Sequence, residues 1–115
     1  MALPKKYRLT KDKEFARLKQ EGRLYSHPYL GILVLESKEN FVFQFGFIIS
    51  IKVARKAHQR FKLKRQLAEI VYSFLPKLKN NFQIIFLPKK TLAGKPFLEI
   101  KKAVEEVFKK ANVFK

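Results

Sequence analysis

Apolar residues at Leu63, Leu67, Ile70, Val71 and Phe74 recur at helical spacing and stop before Pro76, which predicts a helix from about Arg60. Upstream, "YLGILVLE" (29–36) and "FVFQFGFIIS" (41–50) are β-rich apolar runs separated by the polar "SKEN", a pattern that predicts a hairpin. In the second run Phe41, Phe43, Phe45, Phe47 and Ile49 fall on one face, with Val42, Gln44, Gly46, Ile48 and Ser50 on the other. The Phe face is either core or a partly open aromatic groove. "FQIIFL" (82–87) predicts a further strand. "KPFLEIKKAVEEVFKKA" predicts a closing helix, with Pro96 near its first turn, Glu99 early, and Lys109 and Lys110 late, as the helix dipole favours. Near the N-terminus Thr10 is placed to cap a helix over "KDKEFARLKQEG", in which Phe15 and Leu18 share a face and Gly22 supplies the stop.

The resulting order is helix, strand, strand, helix, strand, helix, with no repeat and no long linker. A strand, a helix and a strand in succession suggest a crossover between parallel strands, hence a mixed sheet covered by helices. The fold class is α+β, a two-layer α-β sandwich, and such a crossover is ordinarily right-handed. A chain of 115 residues predicts one domain over residues 1–115. Its 47% apolar content, with twelve Phe and four Tyr, suffices for a core.

Charge changes the picture from fold to partner. Lys and Arg number 26 against nine acids, a net +17, and such an imbalance points to a polyanion held through counterion release. Between Glu39 and Glu69 there is no acid, yet Lys52, Arg55, Lys56, Arg60, Lys62, Lys64 and Arg65 all fall there. With Leu63, Leu67 and Ile70 turned inward, Lys62, Arg65 and Phe61 point outward and Lys64 lies on a flank. A basic face can serve solubility alone. A ring set among cations is better suited to RNA, where phosphates meet the charges and an unstacked base or ribose meets the ring.

Other chemistries find little support. No segment is free to act as a lipid-binding amphipathic helix, no apolar run approaches the length of a membrane span, and the N-terminus lacks an apolar signal core. No membrane partner is expected. Cysteine is absent, which excludes disulfides and thiolate sites and makes a reducing, cytoplasmic setting the natural expectation. One Asp, Asp12, and eight scattered Glu do not make a metal-dependent nuclease site, and the four Gly are too dispersed for a phosphate-cradling loop. His27 and His58 lack metal-pair spacing, though an acid/base pair of the metal-free RNA-cleaving kind stays open. No catalytic residue, metal site or cofactor is therefore expected in the protein itself.

The chain resembles the protein component of bacterial ribonuclease P over almost its whole length. "YRLTKDKEFARLKQEG" is similar to that family's first-helix pattern, here Arg8, Leu9, Glu14, Phe15 and Gly22. "GFIISIKV" resembles its strand and basic turn, "RKAHQRFKLKRQLAEI" its signature helix, and "KKANVFK" its ending. The resemblance implies a mixed, mainly antiparallel sheet of about four strands with three helices and a left-handed βαβ crossover, like the second domain of a small-subunit ribosomal protein. It also implies a protein subunit that binds ribonuclease P RNA, one protein per RNA, and helps to remove the 5′ leader of precursor tRNA. Hydrolysis would be done by the RNA with Mg2+. The RNA face would comprise Arg8, Lys52, Arg55, Lys56, Arg60, Phe61, Lys62, Lys64 and Arg65, and a leader cleft Phe15, Lys19, Tyr29 and Phe47. Where the family signature reads Arg-Asn-Arg or Arg-Asn-Lys, this chain has Arg60, Phe61 and Lys62. Lys19 occupies a family aromatic position, and Tyr29 stands near another. A ribosomal-type structural RNA-binding protein is the alternative.

Overall fold

A strand that reads Phe-Gln-Ile-Ile-Phe-Leu-Pro offers apolar side chains to both sides and must be covered on both. In the computed structural model, which describes residues 3–37, 43–79 and 81–115, that strand lies inside the sheet. The elements are α1 (Asp12–Glu21), β1 (Arg23–Ser26), β2 (Leu30–Glu36), β3 (Gln44–Phe47), α2 (Ala57–Phe74), β4 (Phe82–Pro88) and α3 (Phe97–Ala111), with short 3-10 turns at Lys5–Tyr7, Leu75–Lys77 and Lys90–Leu92. Sheet order is β1-β2-β4-β3. β4 runs antiparallel to β2, from Leu30 opposite Pro88 to Glu36 opposite Phe82. It runs parallel to β3, with Phe45 opposite Ile84 and Phe47 opposite Phe86. The α+β class, the mixed sheet and the three helices expected from the sequence are all present.

The hairpin expected between 29–36 and 41–50 is not. β4 lies between β2 and β3, because only a central position buries both of its faces. The hairpin is instead β1–β2, with Arg23 opposite Val34 and Ser26 opposite Gly31. β3 is shorter than the run predicting it. Phe41 and Val42 lie outside the described residues, and after Ile48, whose N–H donates to the Phe86 carbonyl at 3.0 Å, the chain turns away at Ser50–Val53.

Alternation divides the core between the faces. Ile32, Val34, Phe45, Ile84 and Phe86 are buried together with Leu67, Ile70, Phe74, Val104 and Phe108 of α2 and α3. On the opposite face, Ile85 is buried with Leu9 and Leu18, beneath α1. The expected Phe row therefore does both things proposed for it: Phe45 is fully buried, while Phe43 and Phe47 are half-buried at its margin. The Phe86 ring sits 5.3 Å from Phe47, nearly parallel, and 5.8 Å from Phe108. Among the described residues no polar or charged residue is buried, and no helix is long and apolar enough to cross a membrane.

Helix ends differ from expectation in instructive ways. α1 begins at Asp12 with Lys11 at the cap position and no side-chain cap, so Thr10 does not cap it; Asp12 and Glu14 complement the dipole instead. Gly22 closes α1 with φ −71°, outside the left-handed region, and is required for another reason: a Cβ there would collide with the Leu18 carbonyl oxygen. α2 starts at Ala57, three residues before Arg60, with Gln59 Oε1 accepting from the Lys56 N–H at 3.4 Å. Asn112 ends α3 in the left-handed conformation, φ 56°. Ahead of α1, Arg8 bridges to Phe45, and the Leu9 N–H donates to the Phe45 carbonyl at 2.9 Å, covering the outer side of β3.

Phe86→Ala, which opens a cavity at the junction of β3, β4 and α3, is expected to cost about 3–5 kcal/mol in denaturant unfolding. Phe61→Ala on the surface should stay within about 0.5 kcal/mol of wild type. Equal losses would show that the aromatic centre is wrongly placed.

Candidate nucleic-acid interface

With Leu63 and Leu67 buried, the rotation of α2 sends Phe61, Lys62 and Arg65 into solvent and leaves Lys64 half-buried on the flank, as the wheel predicts. Phe61 is 66% exposed. Lys52, Arg55 and Lys56, on the segment entering α2, are exposed as well. Among the described residues the ion pairs are Arg17–Glu21, His27–Glu106 and Lys109–Glu105, and none reaches this segment. Among the described residues, no acid pairs with the cations gathered here.

Arg60 differs from its neighbours. Its Nη1 donates to the carbonyls of Ala54 and Arg55, each at 2.9 Å, which ties the entering loop to the first turns of α2. It contributes charge and also fixes the loop that carries Lys52, Arg55 and Lys56. Phe47, Ile49, Ala57, Arg60, Phe61 and Lys64 surround a shallow cavity of about 160 Å³ between the end of β3 and α2. Arg8 stands at the same sheet edge, bridged to Phe45, with its Nε buried and without a hydrogen-bond partner.

The residues expected to form a leader cleft are not gathered in one place. Phe15 lies on the α1 side of the sheet, its ring atoms 2.6 and 2.7 Å from where a Cβ of Gly46 would be, so the missing side chain is what seats the ring. Lys19 is exposed on the same helix. Phe47 faces the α2–α3 core, and Tyr29 packs against that same core, with the Lys95 ammonium 5.2 Å from its ring centroid. What accompanies Phe15 is a row that sequence reasoning did not single out: half-buried Leu33, Leu35, Ile48 and Leu87, and exposed Leu24 nearby in the β1–β2 ladder. Gln83 Nε2 adds a polar link beside it, donating to Glu14 Oε2 at 3.2 Å and Gln44 Oε1 at 3.0 Å. The signal was the two-residue period of β2 and β4, which places these positions on one face.

The two histidines form no acid/base pair. His27 Nδ1 accepts the Tyr29 N–H at 3.0 Å and its Nε2 lies 2.7 Å from Glu106 Oε2, so both ring nitrogens are engaged within the fold. His58 is exposed in the first turn of α2. Among the described residues no group of three His, Cys, Asp or Glu side chains could hold a metal ion.

An α+β sheet flanked by uncompensated cations and an open aromatic cavity defines a polyanion-binding protein. The family model described as Ribonuclease P matches residues 3–112, and the chain belongs to the ribonuclease P protein family. The ribonuclease P protein component of Clostridium kluyveri is 31% identical, over 95% of this chain and 97% of its own length. That of a Synechocystis species is 29% identical, over 98% and 91%. The Staphylococcus aureus RNase P protein structure superposes with a TM-score of 0.87 at 26% identity, covering 95% of this chain and 98% of that one. The Thermotoga maritima RNase P protein has the same fold, with a TM-score of 0.80 at 23% identity over 90% and 96% of the two chains.

Three substitutions test this geometry. Arg60→Gln should lower stability by about 1–3 kcal/mol through the lost carbonyl bonds, while Arg65→Gln should leave unfolding unchanged. Gly46→Ala must displace the Phe15 ring and should cost about 1–3 kcal/mol. A Gly46→Ala variant as stable as wild type would mean that Phe15 does not rest there.

Proposed function

We propose that the chain is the protein subunit of ribonuclease P, binding the catalytic RNA one-to-one and contacting the 5′ leader of precursor tRNA in the cytoplasm. The observation that carries this reading is the uncompensated cationic surface of α2 and its entering loop, displayed by a chain of this family. Lys52, Arg55, Lys56, Lys62, Lys64 and Arg65 would neutralise phosphates of the RNA subunit, with Arg60 presenting the loop and Arg8 adding charge at the β3 edge. The leader, single-stranded and partly apolar on its base faces, would run along the α1 side of the sheet, where Phe15 and the leucines of β2 and β4 offer an apolar floor and Lys19 a cation. Tyr29 and Phe47 face the other way and would touch RNA from that side. Hydrolysis of the phosphodiester falls to the RNA subunit with its Mg2+, the protein supplying grip and placement.

Reconstitution with a bacterial ribonuclease P RNA at low magnesium should give accurate removal of a tRNA leader that neither component achieves alone. Replacing Lys62, Lys64 and Arg65 with Gln should weaken RNA binding, and should flatten the salt dependence of log K by about 0.7–0.9 per charge removed. Unaltered affinity in moderate salt would show that the RNA lies elsewhere on the molecule. Absence of leader cleavage by the reconstituted wild type would remove the proposed role.

A further inference from the structure

Charge alone does not account for the cavity between β3 and α2. It is lined by the apolar Phe47, Ile49, Ala57 and Phe61 together with two cations, Arg60 and Lys64. One exposed apolar side chain is unremarkable on a protein surface. Here the exposed ring stands beside a second, half-buried one that is held by stacking on Phe86 at an interplanar angle of 11°. The guanidinium is held as well, by two backbone carbonyls. Lys64 follows Arg60 by one helical turn, so both cations border the same opening. At about 160 Å³ the space falls well below the 300–1,000 Å³ usual for small-molecule pockets, and it suits a single planar ring. An opening lined by two rings and two cations, one of them held in place, on a segment free of acids, matches one unstacked nucleobase whose phosphates reach those cations.

We infer that this cavity captures one unpaired nucleobase of bound RNA, with Phe61 as the stacking ring and Arg60 and Lys64 holding its flanking phosphates. The inference rests on the RNA-binding role proposed above and adds that this face recognises an extruded base as well as backbone charge. It therefore separates from general cation binding in a measurable way. The test uses the whole protein and short single-stranded oligoribonucleotides carrying 2-aminopurine, with inorganic polyphosphate as the charge-only probe. Phe61→Ala should reduce oligonucleotide affinity roughly fivefold to a hundredfold and abolish quenching of the fluorescent base. Phe61→Tyr should preserve both. Polyphosphate affinity and the salt slope should not move with Phe61→Ala, whereas Lys64→Gln should flatten the slope by about 0.7. Wild-type quenching and affinity in Phe61→Ala would overturn the inference, as would an equal loss of polyphosphate binding. Because these measurements omit the RNA subunit, base capture can fail while leader cleavage succeeds, and the reverse.

Discussion

Stacking of Phe47 on Phe86 joins the outermost main strand to the centre of the sheet, and the rest of the molecule is arranged around that join. A chain with a net +17 repels itself when compact, and without buried polar networks among the described residues its cohesion comes from apolar packing. Phe86 meets Phe45 and Phe47 from β3 and Phe108 from α3, and Phe108 in turn meets Phe74 of α2 and Phe114 beyond α3. The same contiguous set of rings both closes the core and, at Phe47, reaches the lining of the surface cavity. Position at the surface is thus inherited from packing in the interior.

That continuity explains how a crowded cationic segment keeps a defined shape. Repulsion among Lys52, Arg55, Lys56, Lys62, Lys64 and Arg65 would favour spreading the entering loop, and among the described residues no ion pair opposes it. Arg60 opposes it with its own guanidinium, turned onto the carbonyls of Ala54 and Arg55. A cation thereby restrains its fellow cations, through bonds made within the protein alone. Association then carries less of the entropic cost of freezing side chains and backbone.

Long periodic elements were legible in the sequence because burial imposes their period: α2, α3 and β4 lie close to where the apolar spacing puts them, and the outward turn of Phe61 follows from the inward turn of Leu63 and Leu67. Strand pairing was not legible. The polar "SKEN" suggests a reversal of direction, but which strand lies beside β2 is decided by the two-sided burial of β4, a non-local requirement. β1 escaped notice because "RLYS" is short and only Tyr25 of it is half-buried. The cationic face was readable from the missing acids, whereas the role of Arg60 was not, since its partners are backbone carbonyls present at every residue. The cleft residues were assembled from a resemblance, and strand parity then separated them, sending Phe15 over Gly46 and Phe47 to the opposite side.

The short bridge from Arg8 to Phe45 has a bearing on behaviour at high local density. An exposed strand rim is an invitation to strand addition by a second molecule, and β3 would be such a rim were Arg8 and Leu9 not laid along it. The opposite rim, β1, is four residues long and opens on Arg23, too brief and too charged to template a neighbour. Molecules at high local concentration therefore find, among the described residues, no ready backbone seam through which to fuse into extended sheets.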